Sequence, residues 1–242
     1  MTETATPSVE TSKPTRIRDL PRNVWAVGIT SFFMDVSSEM VLNIVPLFLA
    51  NVLGVQTSII GLIDGIAEAL ASILKLFSGW LSDKLGARKW MAVTGYAFSA
   101  LSKPFFYIAS SWELIGAVRW ADRVGKGIRT APRDALVADS VTAQTRGLAF
   151  GFNRAMDKAG AVLGILIAAL VVWLTQRTSL DLSKPTFKTI VLVSLIPAFL
   201  AVFSLAFGAK DVPVKGQREA PRFSLRGMGK PFNIFLVIVS VF

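Results

Sequence analysis

The chain of 242 residues contains no cysteine and no histidine. The first absence removes disulfides and thiolate nucleophiles, and the second removes imidazole proton relays. Together they remove the usual zinc and haem ligands. Proton chemistry must then rest on carboxylates, and no cofactor or metal site is legible. An enzyme is the least favoured class, because no nucleophile and base stand together in a readable constellation. Charge is also sparse, at 17% of residues against 52% hydrophobic. The apolar residues therefore fall into long runs, and the mean hydropathy is +0.55.

Those runs define an all-α membrane protein. A stretch of roughly 20 apolar residues spans a hydrocarbon core of about 30 Å as a helix, the form that satisfies its own backbone polar groups. Six candidate spans lie at about 24–50, 58–80, 90–109, 112–139, 147–174 and 188–208, predicting a six-helix transmembrane bundle over 24–208. Residues 1–23 form a tail, disordered through its Thr, Ser, Glu and Pro content and then basic. Residues 209–230 form a basic linker, and 231–242 begin an apolar run too short to cross, which reads as the start of a truncated seventh helix.

The net charge of +10 suggests nucleic acid at first sight. Its basic residues collect at the ends of apolar runs, however, where they set topology and meet lipid headgroups. Nucleic acid is accordingly not an expected partner, and the lipid bilayer is. Arg16, Arg18 and Arg22 precede the first span, Lys84, Arg88 and Lys89 follow the second, Arg146 precedes the fifth, and Lys210 to Lys230 follow the sixth. These place the N-terminus and the 84–89 loop in the cytoplasm, with 51–57 and 110–111 outside. Arg177 and Lys184 break the pattern. The expected location is the inner (plasma) membrane of a bacterium.

One span is unlike the rest. The stretch Arg119-Trp-Ala-Asp-Arg-Val-Gly-Lys-Gly-Ile-Arg-Thr-Ala-Pro-Arg-Asp134 carries seven charges in an otherwise apolar setting. At 100° per residue, Arg119, Asp122, Arg123, Lys126, Arg129, Arg133 and Asp134 share an arc of roughly 140°. Charge on one face fits a helix whose front lines water or partner charges. A helix ending near Pro132 would instead leave Arg129, Arg133 and Asp134 as loop charges. Carboxylate partners stand at similar depth: Asp35 and Glu39 in the first span, Asp64 and Glu68 in the second, each pair at i, i+4, and Asp157 in the fifth beside Arg154 and Lys158. Lys75 and Lys103 add charge in the second and third spans. Each such group costs at least about 2.5 kcal/mol at mid-membrane before pairing. The choice lies between a functional pathway and buried ion pairs that only fix packing. Gly61, Gly65 and Ala69, and Gly160, Gly164 and Ala168, mark expected close helix approaches.

Between the second and third spans stands Gly79-Trp-Leu-Ser-Asp83-Lys-Leu-Gly86-Ala-Arg88-Lys89, which resembles the loop signature G-x-L-x-D-x-x-G-R/K-R/K of the major facilitator superfamily, with its basic pair one residue later. Ala138-Asp139, followed by Arg146-Gly147 and Gly151-Phe152, is similar to the helix-four to helix-five region of that superfamily's drug/proton antiporters. Either Arg119 or Arg123 matches their helix-four arginine. Their Gly-Pro in helix five is replaced here by Gly164-Ile165. The resemblance covers the chain as one six-helix half plus the start of helix seven.

It implies a secondary active transporter working by alternating access, with the C-terminal half of the same chain as partner and a small molecule as substrate. Protons are the expected coupling ion and efflux of small organic compounds the expected direction. Asp35, Glu39, Asp64, Glu68, Arg119, Arg123, Lys126 and Asp157 are the candidate substrate and proton pathway, with Asp35 and Glu39 as coupling acids under the influence of Arg119, Arg123 and Lys126. Gly79, Asp83, Gly86, Arg88, Lys89, Asp139 and Arg146 are the candidate gate. The alternatives are transport of an anionic metabolite and a non-transporting scaffold or sensor of the same fold.

Overall fold

The computed structural model describes residues 16–176 and 182–212. The tail up to residue 15, Arg177, most of the basic linker and the whole 231–242 run lie outside the described residues. The elements are α1 (Arg22–Leu42), α2 (Val45–Asn51), α3 (Thr57–Leu85), α4 (Arg88–Ser102), α5 (Pro104–Ile108), α6 (Trp112–Asp139), α7 (Arg146–Thr175) and α8 (Lys184–Gly208). No strand occurs among the described residues. Each of the six candidate spans falls on helix, and two of them are broken. Pro46 opens α2 and Pro104 opens α5, each in the first turn, where a missing N–H costs nothing. Gly86 ends α3 at φ 64°, a left-handed cap suited to glycine. Ser111 and Ser183 cap α6 and α8 by accepting the backbone N–H of Leu114 and Thr186.

Among the described residues, three helical segments are long and apolar enough to cross a membrane on composition alone: Arg22–Asn51, Arg146–Thr175 and Lys184–Gly208. The other three are the α3, α4–α5 and α6 segments, and these carry charge or breaks. They are completed by packing on one another and on the apolar three. α1 sits between α7 and α8, α8 reaches α4, α4 packs on α6, and α6 on α3.

Glycines set the closest crossings. A Cβ at Gly160 or Gly164 would run into the carbonyls of Phe32 and Val36, so α7 lies directly on α1. Gly95 and Gly125 face each other where α4 crosses α6, and Gly127 lets α6 meet Ala71 and Leu74 of α3. Gly61 and Gly65 depart from expectation. Both have open space beside them, because the face of α3 that packs on α6 carries Ile63, Ala67 and Ala71 instead.

The core divides into two apolar layers. One contains Met40, Phe48, Ile63, Ile115 and Phe187, with Phe48 stacked on Phe187 at 4.0 Å between centroids. The other contains Val27, Met34, Tyr96, Leu136 and Leu205. At the far end of the second layer, Arg22 donates to the carbonyls of Gly208 and Phe207 at 2.8 and 3.1 Å, and the Asn23 side chain exchanges hydrogen bonds with the backbone of Lys210. The start of α1 is thereby tied to the end of α8.

Candidate functional site

The charged helix is continuous from Trp112 to Asp139, with Pro132 buried inside it. The alternative of a helix ending near Pro132 is therefore overturned, and Arg129, Arg133 and Asp134 belong to the helix. A proline removes one helical hydrogen bond and does not forbid continuation when neighbours hold the turn. Here the α4 crossing at Gly95 and Gly125 lies just ahead of it. Arg119, Asp122, Arg123, Arg129 and Arg133 are all buried, while Lys126 is exposed.

Two ion pairs join α6 to α3 in matching register. Arg119 Nε donates to Asp64 Oδ1, and one turn on, Arg123 Nη2 lies 3.0 Å from Glu68 Oε1. Both pairs are i, i+4, so two parallel helices can make two rungs. Trp120 Nε1 adds a hydrogen bond to the Ile63 carbonyl at 3.0 Å. A second cluster joins α6, α7 and α1. Arg133 donates to Asp134 Oδ1 at 2.9 Å and to Ser31 Oγ at 3.1 Å, and lies 3.6 Å from Asp157 Oδ1. Arg154 approaches Asp157 from the other side at 3.4 Å.

The α1 carboxylates are placed differently from the expectation that Arg119, Arg123 and Lys126 act on them directly. Asp35 is half-buried and makes no ion pair among the described residues, because Arg119 and Arg123 are turned toward α3. Glu39 accepts from the Asn43 side chain at 2.7 Å. Asp35 nonetheless faces Lys126, Arg129, Arg133 and Asp157 at longer range.

Lys103, noted in the sequence only as a charge in the third span, is a buried polar centre outside the candidate pathway. It stands at the break between α4 and α5, 1% exposed, and its ammonium donates to Ser37 Oγ at 2.5 Å and Ser38 Oγ at 3.2 Å, with Met34 Sδ at 3.7 Å. Ser37 in turn donates to the Ser194 carbonyl at 2.7 Å. Asp122, 2% exposed, leaves Oδ1 without a hydrogen-bond partner. The adjacent serines of α1 were the available signal: Ser37-Ser38 in the middle of an apolar span is a polar notch that needs a donor.

The candidate gate is centred on Arg88. Its guanidinium pairs with Asp83 at 3.1 Å and with Asp139, and donates to the Ala135 carbonyl at 3.2 Å. One side chain thus binds the end of α3 to the end of α6. Gly79 lies close to Ala131, and Gly86 makes the turn. Lys89 takes a different partner: its ammonium lies 4.9 Å from the centre of the Trp90 ring, and its backbone N–H points to Asp211 at 3.4 Å. Arg146 opens α7, exposed and without an ion pair among the described residues.

Six helical segments enclosing a charged layer, with large apolar side chains such as Leu62, Phe77, Leu166 and Phe207 exposed on the outside, define an integral membrane helix bundle. The chain belongs to the Major Facilitator Superfamily, whose family profile matches residues 27–242. An uncharacterized MFS-type transporter of Methanocaldococcus jannaschii is 35% identical over 227 residues, covering 93% of this chain and 54% of the relative. An uncharacterized protein of Mycobacterium tuberculosis is 32% identical over 155 residues, 64% of this chain and 37% of the relative. Multidrug resistance protein MdtH of Cronobacter sakazakii is 30% identical over 137 residues, 57% of this chain and 33% of the relative. The chain therefore spans about half the length of its archaeal relative.

Proposed function

We propose that the whole protein is a secondary active transporter that couples proton movement to efflux of small organic compounds by alternating access. The observation that carries this reading is Asp35. It is a half-buried carboxylate with no ion pair among the described residues, facing the cations of α6 across the interior. A carboxylate so placed can take up and release a proton as the surrounding charges move. Asp83, Arg88 and Asp139 supply a gate that is closed when α3 and α6 are joined and opens when they part. The distant multidrug resistance relative supports efflux.

The open faces at Gly61 and Gly65 of α3 and at Gly147 and Gly151 of α7 suit close packing by the C-terminal half expected in the same chain. We place the 84–89 loop in the cytoplasm of a bacterial inner membrane, following its basic residues. Labelling of a Gly86→Cys variant by an impermeant reagent in intact cells would overturn that orientation. These 242 residues contain no cysteine of their own.

The transport reading is tested with the full-length protein in proteoliposomes under an imposed pH gradient. Organic compounds added outside should collapse the gradient faster than in protein-free vesicles. A folded protein that moves neither compound nor proton across a broad panel would make it a scaffold or sensor.

A further inference from the structure

The cations of α6 are not all matched. Arg119 and Arg123 have Asp64 and Glu68, and Arg133 has Asp134 and Asp157. Arg129 is 6% exposed and its partners among the described residues are neutral: it donates to Ser99 Oγ at 2.6 Å and its guanidinium lies 4.7 Å from the centre of the Tyr96 ring. Neither it nor Lys126, three residues earlier on the same face, makes an ion pair among the described residues. The charged groups facing Lys126 are Arg123 and Arg129 on its own helix, Glu68 on α3 and Asp35 on α1. Asp35 must also answer to Arg129 and Arg133.

A buried guanidinium without an anion is costly, and the fork of donors it presents is shaped for a carboxylate or phosphate. Asp35 faces it only at longer range and forms no ion pair with it. We propose that Lys126 and Arg129 form an anion site, with Arg129 as the fixed fork and Lys126 as the mobile second charge, so that the transported compound carries a carboxylate or phosphate group. This rests on the transporter reading and narrows its substrate class. Tyr96 and Ser99 act as positioning residues, with Ser99 taking one donor of the guanidinium and the Tyr96 ring lying 4.7 Å from it.

The test uses the full-length protein purified in detergent, with citrate, inorganic phosphate and benzoate as anionic probes and tetraphenylphosphonium as the cationic one, each against chloride at equal ionic strength. At least one anion should raise the melting temperature of the wild type. Its apparent affinity should fall by about tenfold or more in Lys126→Gln, where an exposed side chain is changed and the unliganded melting point should hold, and in Arg129→Lys, which keeps charge but loses the fork. The inference is overturned if no anion stabilises the wild type, if tetraphenylphosphonium alone does, or if both variants bind the anion as the wild type does. Compound-driven flux of cations or neutral molecules in the proteoliposome assay, with the anion arm negative, would defeat the anion site and leave the transporter. Anion binding without any flux would do the reverse.

Discussion

Asp35→Asn in the full-length protein is expected to abolish accumulation driven by a pH gradient, lowering it by about a hundredfold or more, while equilibrium binding of a ligand survives and loses its dependence on pH. The asparagine is nearly isosteric and removes the one chemical capacity at issue, proton exchange. Because Asp35 makes no ion pair among the described residues, its loss leaves no stranded partner, so the melting temperature should stay within a few degrees of wild type. Glu39→Gln should do less, since Glu39 is engaged by Asn43 and glutamine can keep that contact. Should Asp35→Asn still accumulate substrate with wild-type pH dependence, coupling must lie elsewhere, with Asp157 as the next candidate because it faces Asp35.

Gly160→Leu is expected to prevent assembly of the bundle. The α7 backbone lies against the Phe32 carbonyl of α1 at this point, and even a methyl group has no room. The obstruction is backbone, which cannot swing aside as a side chain can, so α1 and α7 must separate along their length. A cost of about 3 kcal/mol or more follows from forced overpacking at a close helix crossing. The yield of monodisperse protein in detergent and its melting temperature are the readouts. Leu166→Ala, at an exposed position on the same helix, is the control and should change little. Equal behaviour of the two variants would mean that α1 and α7 do not meet backbone to backbone at Gly160 and Phe32.

The helices were legible in the sequence because hydropathy and charge asymmetry act on single segments. Pro46 and Pro104 broke two of them at points that proline explains. The charges were harder to pair, because pairing depends on register between helices. Asp64 with Arg119 and Glu68 with Arg123 needed parallel α3 and α6 in step, a fact no single segment carries. The same limit applies to the small residues. Gly160 and Gly164 carry the small-residue spacing, but so do Gly61 and Gly65, which face open space, while Gly95 and Gly125 work as a pair across two helices and neither has a glycine four residues away in its own helix. Lys103 was visible as a lone charge, and only the fold brings Ser37 and Ser38 to it.

The rungs between α3 and α6 also bear on how the protein reaches the bilayer. As the chain leaves the ribosome, α1–α2 is apolar enough to partition into lipid unaided, and α6 is not. With four arginines and an aspartate in its interior face, α6 would be rejected by a translocon that examined it alone. Asp64 and Glu68, synthesised earlier, are the groups that neutralise its first two arginines. Insertion of α6 is therefore expected to depend on α3, so that Asp64→Leu with Glu68→Leu should lower the membrane-inserted fraction of α6 in a glycosylation-tag assay. The pairing is intramolecular, so the early helix supplies its carboxylates to the later one at the high effective concentration of a shared chain.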